Sequence, residues 1–195
     1  MTTHLLYLHG FRSSPQSAKA RRVADWVRKR TPWLTWWCPQ LPPSPREAIE
    51  LLRNGVVQWP SDRMAIIGSS LGGFYATALA ESLRCKAVLL NPAVDPARDL
   101  ARHIGETTTW HGDEPFFFQP HYVQELRDIA PGPLARPSNY FAVIATGDEV
   151  LDWREMSQRY QGAHLRIVEG SDHALSDFDD HLPHVLHFLD LGPTP

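Results

Sequence analysis

Six short, mostly apolar runs constrain this chain more than any other feature. They are Leu5-Leu6-Tyr7-Leu8, Leu34 to Cys38, Met64-Ala65-Ile66-Ile67-Gly68, Ala87-Val88-Leu89-Leu90, Tyr140 to Ala145 and Leu165-Arg166-Ile167-Val168. Runs this short and this continuous suit strands buried on both faces. Stretches with helical spacing lie between them. Ser17 to Arg30 places Ala20, Val23, Ala24 and Val27 on one face with arginines opposite. Ser44-Pro45 with Glu47 is a capping-box start, continued by Ala48, Ile49, Leu51 and Leu52. Leu71 to Leu83 is rich in small residues, and Asp152 to Tyr160 and Phe178 to Leu189 complete the set. Strands alternating with helices and joined by right-handed crossovers predict an α/β fold. Its core is a doubly wound, mostly parallel sheet of about six strands with helices on both faces.

With 195 residues, one domain is expected. One segment, about 94–137, interrupts the alternation. It carries Trp110, Phe116-Phe117-Phe118 and a helical stretch from Tyr122 to Ile129, but no strand pattern. A connection this long reads as a lid-like insertion or pocket wall, the plainer alternative being a connection whose aromatics fill the core. The 17 prolines fall between elements and act as punctuation.

A formal net charge of −3 excludes the electrostatic footprint of a nucleic-acid or anionic-membrane binder. No apolar run reaches the length of a spanning helix. The start, Met1-Thr2-Thr3-His4, lacks the basic residues of a secretory signal, so a cytoplasmic location is expected. Cys38 and Cys85 are too few for a disulfide framework and read as buried free thiols.

In a sheet of this kind chemistry collects at the carboxyl ends of the strands. Gly68-Ser69-Ser70-Leu71-Gly72 fits G-x-S-x-G with a strand before it and a helix after it, the context of a nucleophile elbow. A serine hydroxyl needs a base, and the elbow predicts the order Ser, acid, His along the chain. Asp148 follows the fifth run and His173 the sixth. Glu149, Asp152 and Asp172 are the other nearby acids. Of these Asp152 ranks second, although it also reads as the N-cap of the next helix. An oxyanion hole would use the Leu71 N–H and, from the loop after the first strand, the Phe11 N–H. Arg12 could steer an anionic group or simply be solvated. Trp110, Phe116 and Phe117 are candidate walls of an acyl pocket.

No cofactor is implied. His181, His184 and His187 recur every third residue on the last helix and read as a solvated face. His111, Asp113 and His121 form a loose set without metal-ligand spacing, so no metal is expected.

The chain resembles the α/β-hydrolase superfamily and, more closely, the YqiA/YcfP-type bacterial esterases. The matching residues are Tyr7-Leu8-His9-Gly10-Phe11-Arg12-Ser13-Ser14-Pro15, Ser17-Ala18-Lys19-Ala20 and Ile67 to Ala76. Leu90-Asn91-Pro92-Ala93, Thr146 to Asp152 and Gly170-Ser171-Asp172-His173 complete the match. The resemblance implies Ser70, Asp148 and His173 as the triad, hydrolysing carboxyl esters or thioesters without cofactor or metal. Small to medium acyl esters or thioesters are the expected substrates. A non-catalytic ligand-binding or interaction protein on the same scaffold is the alternative.

Overall fold

The computed structural model describes residues 1–108 and 115–192. The elements, in chain order, begin with β1 (His4–Leu8), α1 (Ala18–Arg30), β2 (Thr35–Trp37), α2 (Pro45–Val56) and β3 (Met64–Ser69). They continue with α3 (Leu71–Leu83), β4 (Lys86–Leu90), α4 (Pro96–Asp99), β5 (Gly105–Thr108) and β6 (Pro115–Phe118). The last are α5 (Tyr122–Asp128), β7 (Tyr140–Ala145), α6 (Trp153–Arg159), β8 (His164–Val168) and α7 (Phe178–Phe188). The main sheet has six strands in the order β2-β1-β3-β4-β7-β8. Every neighbouring pair in it is parallel. The expected doubly wound α/β layer is therefore the observed one.

Side chains on a strand alternate between faces, so each central strand feeds two cores. Leu6, Leu8, Ile66, Leu89 and Ile144 pack beneath α2 and α3. Leu5, Tyr7, Ile67, Val88, Leu90 and Val143 pack beneath α1 and α7. The continuous apolar runs follow from this, because both faces of the sheet are covered. The capping serine of α2 behaves as its sequence implies: Ser44 Oγ accepts from the Glu47 N–H at 3.2 Å.

The chain runs from β1 outward to β2, then crosses back to β3 on the other side of β1. The carboxyl ends of β1 and β3 thus border the switch point, where an open α/β sheet leaves a crevice. Gly72, in the first turn of α3, lets that helix seat against the end of β1. A Cβ built there would lie 2.1 Å from the Leu8 carbonyl oxygen.

Two expectations need correction. The segment 94–137 contains a strand pair, β5 antiparallel to β6, with Gly105 opposite Phe118. Alternation exists in Phe116-Phe117-Phe118 but is hidden because all three residues are apolar. Phe116 and Phe118 both pack edge-on against Phe11, with ring centroids 5.2 and 5.4 Å apart. Phe117 faces outward and is 45% exposed. Secondly, the histidines of α7 are not all on a solvated face. His181 is buried, its Nδ1 accepting from Arg166 Nε at 3.1 Å and its Nε2 lying 3.2 Å from Asp177. Arg166 of the edge strand β8 meets the helix at that point, and a three-residue spacing drifts around a helix of 3.6 residues per turn. Cys85 is buried as expected, whereas Cys38 is only partly so; both are free thiols.

Replacing Gly72 by alanine should force α3 away from β1. The expected loss is about 3 kcal/mol or more. In a thermal melt this reads as a fall in Tm of roughly 6–12 °C; an unchanged Tm would show that the helix and strand are not in close contact.

Candidate active site

Ser70 sits between β3 and α3 with φ 55° and ψ −121°. Non-glycine residues rarely adopt such a backbone, which costs about 1–3 kcal/mol unless its surroundings hold it. Main-chain bonds do so: the Ser70 N–H donates to Leu90 O and the Ala93 N–H donates to Ser70 O, both at 3.0 Å, and the Gly73 N–H donates to Ser70 O at 2.8 Å. The turn lifts Oγ out of the sheet at the start of α3. Gly10 makes room for it, since a Cβ at that position would meet Ser70 Cβ at 3.2 Å.

His173, in the loop between β8 and α7, reaches Ser70 Oγ with Nε2 at 3.0 Å. Its Nδ1 lies 2.7 Å from Asp148 Oδ2. The Asp148 side chain is fully shielded from solvent and that of His173 is 20% exposed. The other carboxylate oxygen, Oδ1, accepts from the Val150 and Leu151 N–H groups, each at 2.8 Å. Those bonds fix the carboxylate plane. With Oδ2 acting as acceptor, His173 carries its proton on Nδ1 and offers the Nε2 lone pair to the Ser70 hydroxyl.

The neighbouring acids are engaged elsewhere. Asp152 caps α6 by accepting from the Arg154 N–H at 2.9 Å. Asp172 accepts from the Ser176 N–H at 2.8 Å and its hydroxyl at 2.6 Å, which hold its carboxyl below the usual range. Glu149 Oε2 accepts from the His173 backbone N–H at 3.0 Å, so it steadies the loop.

His9 shapes the opposite wall. Its Nε2 accepts from the Leu41 N–H at 3.0 Å, which leaves the proton on Nδ1 to donate to Gly10 O at 3.0 Å. The Ser13 N–H donates to the same carbonyl at 3.2 Å, and Arg12 has a left-handed backbone with φ 58°. The Gly10 carbonyl is thereby tied back into its own turn.

A cavity of about 860 Å³ opens over Ser70, bordered by Phe11, Arg12, Leu71, Leu100, Val150 and Leu175 among others. Phe11, Leu71 and Arg12 all line it. Phe116 and Phe117 are not among its described lining residues; Phe116 instead backs Phe11 from behind. Trp110, His111 and Asp113 lie outside the described residues. Pro96, Asp99, Arg102 and His103 bring the early part of the 94–137 segment to the cavity wall. Among the described residues no cluster of His, Cys, Asp or Glu is placed to hold a metal ion, and His121 faces Glu125 at 3.8 Å. No helix among them is long and apolar enough to cross a membrane.

A model of the Uncharacterised protein family (UPF0227) matches residues 4–190. The chain belongs to this family. Solved structures show the same α/β-hydrolase fold. A provisionally assigned hydrolase from Agrobacterium vitis S4 is similar at 17% identity with a TM-score of 0.76, over 95% of this chain and 87% of that one. The mouse alpha/beta hydrolase domain-containing protein 10 is similar at 13% identity with a TM-score of 0.67, over 95% and 91%. Est1E from Butyrivibrio proteoclasticus gives 13% identity and a TM-score of 0.67, over 97% and 86%. At such identities the likeness is one of fold.

Two contributors, Glu149 and Lys19, lie in the stretches that carry the family resemblance, Glu149 also among the nearby acids, but nothing in the sequence showed that they tie down the His173 loop. Lys19 Nζ donates to the Ala174 carbonyl beside His173. Burial pulls its ammonium down from 10.5 to about 8, against the pull of Asp172 and Asp148. Between those two values the unfolded chain binds more protons than the folded one. Stability contributed by this site therefore rises with pH across that window. Melting temperatures at pH 7 and pH 10 should show the wild type gaining on Lys19→Met as pH rises; a difference independent of pH would contradict the assignment.

Proposed function

We propose that this protein is a serine hydrolase, a carboxylesterase or acyl-thioesterase, similar to the YqiA/YcfP-type esterases. The observation that carries this reading is the unbroken hydrogen-bond chain from Asp148 through His173 to Ser70, at 2.7 and 3.0 Å. Ser70 is the nucleophile, His173 the general base and then general acid, and Asp148 the group that holds the imidazole tautomer. Relatives of the same fold include proteins named as esterases, such as the carboxylesterase CesB from Bacillus subtilis. That likeness supports the reading only at the level of scaffold.

In the proposed cycle Ser70 Oγ attacks the acyl carbonyl carbon as its proton passes to His173 Nε2. Negative charge develops on the carbonyl oxygen, facing the backbone N–H groups of Phe11 and Leu71. The tetrahedral intermediate collapses, and the alcohol or thiol leaves with the proton from His173. Water, deprotonated by the same imidazole, then attacks the acyl-enzyme and releases the acid and free Ser70. Asp148 stays ionised throughout and stabilises the imidazolium.

A cavity of about 860 Å³ suits small to medium acyl groups. Residues 94–137 would act as a cap, their first part walling the cavity and their aromatic hairpin bracing Phe11. Two free thiols suit a reducing cytoplasm.

A fluorophosphonate probe should label the folded protein at Ser70 alone, and Ser70→Ala should abolish both labelling and ester hydrolysis. Labelling that persists in Ser70→Ala sinks the proposal. Absence of labelling in the wild type would favour a ligand-binding protein on a hydrolase scaffold. Asp148→Asn should lower kcat by about 10³–10⁴-fold, since an amide stabilises the wrong imidazole tautomer. Asp152→Asn should leave kcat near wild type, because its carboxylate caps α6 and pairs with Arg154.

A further inference from the structure

The carboxyl end of β4 touches the supports of all three proposed catalytic side chains. Leu90 and Ala93 hold the Ser70 backbone through the two bonds described above. Between them stands Asn91, fully buried and with φ 42°. Its main-chain N–H donates to Val143 O at 3.0 Å. Its side-chain Oδ1 accepts from the Ala145 N–H at 2.8 Å, on the strand that leads into Asp148. Its Nδ2 donates to the carbonyls of Asp172 at 3.0 Å and His173 at 3.1 Å. One amide thus joins the acid's strand to the histidine's loop, and its backbone continues into the elbow's anchor.

The loop bearing His173 belongs to no strand or helix, so it lacks the regular ladder bonds that fix a side chain's origin. Its other ties include those from Lys19 to Ala174 O and from the His173 N–H to the exposed Glu149. The bonds to Asn91 come from a fully buried residue. A buried amide that loses its partners leaves polar groups unpaired, so these bonds are hard to replace. Asn91 does not line the cavity over Ser70 and makes no contact open to substrate.

We propose that Asn91 is a positioning residue that sets the His173 ring against Ser70 and Asp148. The proposal rests on the serine-hydrolase reading for its kinetic consequences, but its geometric content stands apart from it. Asparagine suits the role for two reasons. It tolerates a left-handed backbone, and it alone presents two donors and one acceptor at this reach.

Two variants test it. Asn91→Gly keeps the backbone conformation and removes the amide. Asn91→Asp keeps an oxygen for the Ala145 N–H but puts a carboxyl opposite two carbonyls. Crystal structures of both should show His173 Nε2 moved beyond hydrogen-bond reach of Ser70 Oγ. With p-nitrophenyl acetate, kcat should fall about 100-fold. KM should change little, because no substrate contact is lost. In Asn91→Asp the protonated acid at low pH restores one donor, so its kcat relative to wild type should drop further as pH rises. A uniform loss of stability would not give that profile.

A folded variant with both His173 bonds at wild-type length overturns the proposal, whatever its turnover. If Asn91→Gly does not fold, Asn91→Asp decides by the same criterion. A wild type that neither takes the fluorophosphonate probe nor cleaves any ester overturns the hydrolase reading instead. The ring position in the variants still decides the role of Asn91.

Discussion

The architecture depends on one strained turn. Ser70 holds a backbone that a serine adopts only under constraint. Several close approaches supply that constraint at once. The end of β1 presses on Gly72, Pro92 presses on Gly73, and Leu90 and Ala93 bond the Ser70 main chain from either side. Loosening any of these would let the turn relax toward ordinary angles and drop Oγ back into the sheet. The parallel pairing of β1, β3 and β4 is therefore the frame that keeps the serine raised.

From that frame the remaining geometry follows by topology. The chain switches direction between β1 and β3, so the loops after both strands border one crevice. One loop contributes Gly10 and Phe11, and the other Ser70 and Leu71. The strands added on the far side, β7 and β8, deliver Asp148 and the His173 loop to the same end of the sheet. The carboxylate is then fixed by the two N–H groups that follow it, and the imidazole lies between that carboxylate and the serine hydroxyl. Each polar group in the row has its partner, which buried polar chains require.

Much of this was legible beforehand, and the reasons are physical. Buried parallel strands must be apolar on both faces, so they announce themselves as continuous runs. Elbow glycines announce themselves because no larger residue fits against Leu8 or Pro92. The β5–β6 hairpin was not legible. Three consecutive phenylalanines carry no polar alternation, and the partner strand is short and polar. The burial of His181 was also hidden, because it depends on how α7 packs on the sheet, where Arg166 of β8 meets it. The expected pocket role of Phe116 and Phe117 is likewise a question of which way a hairpin faces; here it braces Phe11 rather than lining the cavity.

The amino-acid sequence alone determined the fold class, the place of the elbow and the order in which serine, acid and histidine occur. These depend on local pattern: apolar runs, glycine positions and residues at strand ends. Only the tertiary structure decided which of four neighbouring acids faces the imidazole, which tautomer His9 holds, and that Asn91 ties the acid's strand to the histidine's loop. Those are matters of distance between segments far apart in the chain. Asp148 and Asp152 have the same carboxylate on the same short stretch. What separates them is that one meets His173 Nδ1 at 2.7 Å while the other closes the first turn of a helix.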